Sequence, residues 1–185
     1  EMEAFLKMKE EAEKRDHRNI TRDMNLVYFH EYAPGAPFFL KNGTIMYNLL
    51  IQFIRDEYDK RGYDEVITPQ MYNKKLWEIS GHWDHYKENM FIINVEGSEH
   101  SLKPMNCPSH CLIYKRDVKS YKDLPVRIAD FCNLHRNELS GTLTGLTRVR
   151  KFSQDDGHIF CRFDQIEEEV LNVLEFIKYV WTKIF

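Results

Sequence analysis

The segment RVRKFSQDDGHIFC, residues 148–161, taken with LHRNELSG at 134–141, constrains this chain most. Both read as strands around a glycine-punctuated connection, so a β-hairpin is expected. Period-two alternation predicts Phe152, Gln154, Asp156 and His158 on one face of the second run, and Leu134, Arg136 and Glu138 on one face of the first. A half-buried strand usually turns an apolar face inward. A face carrying a ring, an amide, a carboxylate and an imidazole is therefore expected to line a ligand site, with cation and carboxylate joining from the paired run. At about 3.4 Å per residue, Phe152 to His158 makes a floor about 20 Å long.

The 185 residues are 43% hydrophobic and 14% aromatic, enough for one substantial core and outside the disordered class. A formal charge of -3, from 26 Lys plus Arg against 29 Asp plus Glu, supplies no bulk attraction for a phosphate backbone. Strong non-specific DNA binding is thus not expected, and any nucleic-acid contact must be local. The four cysteines, Cys107, Cys111, Cys132 and Cys161, form no secreted-type framework, and the opening EMEAFLKMKEEAEKRD lacks the basic and apolar regions of a signal peptide. A reducing, cytoplasmic setting follows. No apolar run approaches the roughly 20 residues that a membrane helix requires, so no membrane contact is expected.

Residues 1–22 predict an exposed linker helix from an upstream domain, and 23–185 the main domain. A short strand is expected over Phe38–Leu40 between turns at Pro34-Gly35 and Asn42-Gly43. Apolar residues at helical spacing predict a helix from Thr44 to Arg61, closed by a left-handed cap at Gly62. YDEVITPQM reads as a strand ended by Pro69. The stretch from Lys75 to Asn94 predicts a helix, a break at Gly81 and the strand MFIINV, with His82 and His85 serving in packing. KPMNCPSHCLIYKRDV is a proline-bounded turn that becomes helical near Ser109. The last segment, from Asp164, is an amphipathic helix with Asp164 as N-cap and Glu167 in the capping-box position.

Arg136 and Arg148 present planar donors suited to phosphate or carboxylate oxygens, and Glu138 can accept from an amino group. Surface ion pairing is the plainer reading for each arginine singly. Phe152 could stack on a base or simply pack. Cys107 and His158 form a weak pair by sequence alone, and Cys107–His110 has only half of a metal knuckle. A buried thiol and a structural histidine remain the plainer account. No glycine-rich phosphate loop is present, so any nucleotide must be held another way.

The blocks KPMNCPSH, SGHWDHYKENMF and LHRNELSGTLTGLTRVRKFSQDDGHIFC, with RDHR at 15–18, resemble the catalytic domain of the eukaryotic-type threonyl-tRNA synthetases, a class II family. The resemblance implies an α+β fold, an antiparallel sheet flanked by helices. It implies a dimer interface over the Thr44–Pro69 region and an ATP-binding hairpin. By the same resemblance Arg136 contacts the α-phosphate and the amino-acid carboxylate, and Arg148 the distal phosphates. Glu138 reads the adenine amino group, Phe152 lies under the base, and Met105, Gln154 and Asp156 surround threonine. Cys107 and His158 match two zinc ligands, with a third expected beyond Phe185, as are the third signature motif and the anticodon-binding domain. ATP with Mg2+, threonine, Zn2+ and tRNA(Thr) are the implied ligands and partners. The sequence departs from the family at Ser109, usually glycine, at Gly157, usually alanine, and at Cys132-Asn133. A non-catalytic paralogue that keeps the site face as a zinc, threonine or nucleotide-binding module is the rival reading.

Overall fold

The computed structural model describes residues 2–184; Glu1 and Phe185, the outer ends of the two terminal helices expected from sequence, lie outside the described residues. The chain opens on helices α1 (Met2–Lys14) and α2 (His17–Asp23) rather than one helix. They part at Asp16, whose carboxylate accepts the Arg18 N–H at 2.8 Å and caps α2. No residue of α1 is buried. Strands β1 (Val27–Tyr28) and β2 (Phe38–Phe39) then pair antiparallel.

Helix α3 (Lys41–Lys60) begins earlier than its apolar spacing suggests. Its first turn lies against the backbone of Leu26, where a Cβ on Gly43 would fall 2.0 Å from the Leu26 carbonyl oxygen. Only glycine permits that approach. Gly62, at φ 72°, supplies the left-handed stop after the helix. Strand β3 (Asp64–Val66) ends before Pro69 rather than at it, and β4 (Met71–Asn73) follows.

Helices α4 (Lys74–Ile79) and α5 (His82–Tyr86) flank the break at Gly81, and strands β5 (Ile92–Val95) and β6 (Ser98–Leu102) form a hairpin. Its turn residues Glu96 and Gly97 both take positive φ, 52° and 78°, as the tight turn between twisted strands requires. Strand β6, which was not expected from sequence, also pairs with β4 and so leads the chain directly to Lys103. Helix α6 (Cys107–Arg116) begins at Cys107, with Pro108 in its first turn.

Strands β7 (Val126–Asp130), β8 (Asn133–His135), β9 (Lys151–Ser153) and β10 (Asp156–Phe160) make one long hairpin in two parts. Asn133 faces Ser153 in the β8–β9 part, and Asp130 faces Asp156 in the β7–β10 part. Phe131 and Cys132 on one side match Gln154 and Asp155 on the other. Both strands break together, and the register carries through with no inserted residue. Strand β3 adds to β7 in parallel, the one parallel pair among the described residues.

Helix α7 (Ile166–Ile184) covers one face of β10–β7–β3 together with α3. Tyr58, Ala129 and Phe176 form the buried cluster there, and Tyr58 meets Phe131 and Phe176 edge to face at 5.6 and 5.0 Å. The Arg127 guanidinium and Glu169 carboxylate clamp β7 to α7. The start of α7 corrects the sequence reading: Asp164 sits inside a 3-10 turn, Phe163–Gln165, where its carboxylate takes the Arg162 guanidinium. Gln165 Oε1 instead accepts the Arg162 N–H at 3.0 Å. The architecture is α+β, and no described helix is long and apolar enough to cross a membrane.

Candidate active site

Parity divides the two faces of β10. Gly157 turns toward Tyr58 and Tyr63, whose ring carbons stand 3.2 Å from where its Cβ would be. Asp156 and His158 turn the other way, onto the start of α6. Asp156 Oδ2 accepts from Asn106 Nδ2 at 3.1 Å, and His158 Nδ1 meets His110 Nδ1 at 2.8 Å. Asp155, the alternative carboxylate, lies on the side of Tyr58, whose hydroxyl donates to its carbonyl at 2.9 Å.

Cys107 opens α6 beside this pair. Burial pushes its thiol up from the ordinary range, and the charge of Asp156 pushes it further. Burial holds the His158 imidazole below its ordinary pKa, with Asp156 opposing and His110 adding to the fall. Asp156 thus acts electrostatically on both candidate metal ligands. Met105 is placed by its sulfur, 3.3 Å from His82 Nε2, while His82 Nδ1 meets Ser80 Oγ at 2.8 Å.

At the other end of the hairpin the arginines hold the remaining groups. The Arg136 guanidinium lies 5.0 Å over the Phe152 ring, and its Nε donates to the Pro104 carbonyl at 3.4 Å. Arg148 donates twice to Glu138 Oε2, at 2.9 and 2.8 Å, and Arg150 Nε donates to the Glu138 carbonyl at 2.8 Å. Arg148 is 55% exposed, so its pairing with Glu138 contributes no more than about 0–1 kcal/mol and yields readily to an anionic ligand. Gln154 is exposed in the break between β9 and β10 and is not drawn into these contacts.

Sequence reasoning passed over the groups beneath the site. Lys103, Asn106, His110 and Asp130 are wholly buried. Thr68 Oγ1 donates to Asp130 Oδ2 at 2.6 Å and accepts from Lys103 Nζ at 2.5 Å. The Cys132 N–H donates to Asp130 Oδ1 at 2.8 Å. An available signal was Asp130 sharing the face of Ile128 on β7, a carboxylate where the alternation calls for an apolar side chain.

Among the described residues no three His, Cys, Asp or Glu side chains converge to hold a metal. Cys107 and His158 do supply sulfur and nitrogen, the donor types zinc prefers, and His110 occupies the other ring nitrogen of His158. The donor chemistry fits zinc, with a further ligand required to close the site.

This fold and hairpin site define a class of protein. Residues 90–185 match the tRNA synthetase class II core domain (G, H, P, S and T), and the chain belongs to that family. Within it, the chain is 59% identical to a probable cytoplasmic threonine–tRNA ligase of Encephalitozoon cuniculi over 180 residues, 97% of this chain and 28% of that protein. The cytoplasmic threonine–tRNA ligase of Saccharomyces cerevisiae is 57% identical over 180 residues, 97% of this chain and 24% of the relative. The chain therefore spans about a quarter of the length of these curated relatives. A crystal structure from Cryptosporidium parvum Iowa II, described as the RNA binding domain of threonyl-tRNA synthetase, superposes with a TM-score of 0.89 at 51% identity, covering 91% of this chain and 42% of that one. Giardia lamblia prolyl-tRNA synthetase with prolyl-adenylate shares the fold, at a TM-score of 0.78 and 22% identity over 86% of this chain and 34% of its own.

Proposed function

We propose that this chain is the first part of the catalytic domain of a cytoplasmic threonine–tRNA ligase, with 1–22 leading in from an upstream domain and 23–185 carrying the site. The parent enzyme forms threonyl-adenylate from threonine and ATP and passes the threonyl group to tRNA(Thr). The observation that carries this reading is the unbroken register of the hairpin. It runs from Arg136 and Phe152 to Asp156 and His158, whose side chains meet Asn106 and His110 at the helix that Cys107 opens.

The chemistry is positional. The threonine carboxylate attacks the α-phosphorus of ATP in line, and no protein side chain acts as a covalent nucleophile. Arg136 neutralises charge on the α-phosphate and the carboxylate, while Arg148, released from Glu138, takes the distal phosphates with their Mg2+. Glu138 then accepts from the adenine amino group, and Phe152 supports the base. Met105, Gln154 and Asp156 surround threonine, with Asp156 held by Asn106 to accept the substrate hydroxyl proton. Cys107 and His158 would hold zinc with a third donor from elsewhere in the parent; when bound, the ion supplies a Lewis acid that selects an oxygen ligand, which valine lacks. The apolar residues Ile45, Met46, Leu49 and Leu50, exposed on α3, suit a homodimer contact.

The test is threonine-dependent ATP–pyrophosphate exchange by the full-length polypeptide. Asp156→Asn and Cys107→Ala should each lower it by on the order of 10²–10³, the typical loss for one such group. Exchange that survives both substitutions refutes the site. Zinc-dependent threonine binding with no exchange in the unmodified polypeptide would point to a non-catalytic paralogue.

A further inference from the structure

Beneath the site runs a buried polar line that ends on His158. His110 and Asp130 are both wholly buried. Asp130 accepts from Thr68 Oγ1 and from the Cys132 N–H at 2.6 and 2.8 Å, and the Lys103 ammonium stands 3.5 Å from its Oδ2. It is therefore an anionic acceptor with its counter-charge in place. The same Oδ2 lies 3.7 Å from His110 Nε2, a nitrogen with no hydrogen-bond partner among the described residues.

That arrangement decides where the protons sit. In the neutral ring, the form present above the imidazole range, a lone pair on His110 Nε2 would face a carboxylate, so Nε2 carries the hydrogen and Nδ1 is left as an acceptor. The 2.8 Å contact between the two Nδ1 atoms then requires the hydrogen on His158 Nδ1. His158 is left with Nε2 as its free lone pair.

We propose that His110, backed by Asp130, is a positioning residue that fixes the ring of His158 and holds it in the tautomer whose Nε2 lone pair is available to a ligand. The ligand part of this statement rests on the zinc reading above, whereas the tautomer does not. Metal-ligating histidines commonly donate their second ring N–H to a partner that sets orientation and basicity. Here the partner is a second imidazole, itself beside a buried carboxylate. Nothing else on α6 need touch the metal for His110 to matter.

The experiment uses the full-length polypeptide with 15N-labelled histidine, at a pH above the imidazole range, in the absence and presence of zinc. Long-range proton–nitrogen correlation reports which ring nitrogen of His158 carries hydrogen. The expected result is hydrogen on Nδ1 in the unsubstituted protein and a mixture of both tautomers in His110→Leu. His110→Gln keeps an acceptor carbonyl in place and should restore the Nδ1–H form. Zinc affinity, read by competition with a chromophoric chelator, should fall about 10–100-fold in His110→Leu and recover in His110→Gln. Hydrogen on His158 Nε2 in the unsubstituted protein overturns the proposal, even if the leucine variant fails to fold. An unchanged tautomer and affinity in a folded His110→Leu overturns it also, while leaving the zinc reading intact. A protein that takes up no zinc but keeps His158 in the Nδ1–H form refutes the zinc reading and supports the positioning.

Discussion

Replacing Lys103 by methionine tests how much the buried polar line costs and what holds it. The Lys103 ammonium, wholly buried, donates to Thr68 Oγ1 at 2.5 Å and lies 3.5 Å from Asp130 Oδ2. Lys103→Met keeps the length of the stem and both backbone bonds, from Lys103 N–H to the Gln70 carbonyl and from His135 N–H to the Lys103 carbonyl. It removes the charge together with its hydrogen bond to Thr68 Oγ1. Breaking one side of a buried ion pair costs about 3–5 kcal/mol, because the remaining charge is left uncompensated. Asp130 keeps its bonds from Thr68 and the Cys132 amide, and hydrogen bonds to a charged group contribute about 1.5–3 kcal/mol each, so the loss should lie near the lower end, about 3 kcal/mol. For a domain of this size that lowers Tm by about 6–12 °C. Urea and thermal unfolding of the single variants and of Lys103→Met with Asp130→Asn complete the cycle. The double variant should recover at least half of the loss, since neither charge is then left alone. Burial by itself would raise the Asp130 pKa, but the His110 ring beside it and the hydrogen bonds from Cys132 and Thr68 outweigh it and hold the carboxyl well below the usual carboxylate range. A depressed folded-state pKa gives stability that is full above the unfolded value near 4 and is lost as pH falls below it. Asp130→Asn should therefore flatten the acid loss of stability. A Lys103→Met protein within about 1 kcal/mol of wild type, or losses that simply add in the double variant, would refute this account.

Arg136→Ala should cut ATP–pyrophosphate exchange by the full-length polypeptide by on the order of 10²–10³, while costing only about 0.5–1 kcal/mol of stability from its contact with Phe152. Comparable losses in both assays would make it a structural residue. The Cys107 thiol, pushed up by burial and Asp156, should be alkylated slowly by iodoacetamide near neutral pH, and Asp156→Asn should speed the reaction by removing the second cause; peptide mass spectrometry reads the rate. Ser109 is buried and its hydroxyl has no hydrogen-bond partner among the described residues, so Ser109→Ala should raise the urea midpoint by an equivalent of about 1 kcal/mol. The isolated 185-residue chain should sediment as oligomers, since α3 and α7 expose Leu49, Leu50, Leu171 and Leu174, and Leu49→Lys with Leu171→Lys should return it toward monomer.

Period two was the most informative signal in this sequence. It places Asp156 with His158 and away from Asp155, and the structure has both against α6 because the hairpin keeps its register across the gap at Gln154 and Asp155. The gap itself carries no glycine or proline and could not be read. The helix ending at Gly62 was readable from its spacing and its stop, but its start was not, because Gly43 is a packing contact with Leu26 rather than a turn. Strand β6 escaped notice because Ser98, Glu99, His100 and Ser101 lack an apolar alternation; it forms between β4 and β5, where the backbone bonds decide. The N-cap at Asp164 failed for a competing reason, since Arg162 claimed the carboxylate first.

The site also explains a polar interior that stability alone would not select. Lys103, Asn106, His110 and Asp130 occupy positions between β6, α6 and β7 where apolar residues of similar volume would often be neutral or stabilising. On the opposite face of the same sheet, Tyr58, Ala129 and Phe176 make a conventional apolar contact. The asymmetry follows from what each face must do. A ring at His158 packed only against apolar side chains could flip and exchange tautomers, and a carboxylate at Asp156 could rotate away from the substrate hydroxyl proposed for it. A hydrogen bond to His110 and one from Asn106 remove those freedoms at a cost in desolvation, which Asp130 and Lys103 offset in turn by facing each other through Thr68. The line from Lys103 through Thr68, Asp130 and His110 thus ends at His158, and Asn106 ends at Asp156, the two side chains that would meet the amino acid. Stability is spent on one side of the hairpin to fix orientation there, and the aromatic packing on the other side supplies it.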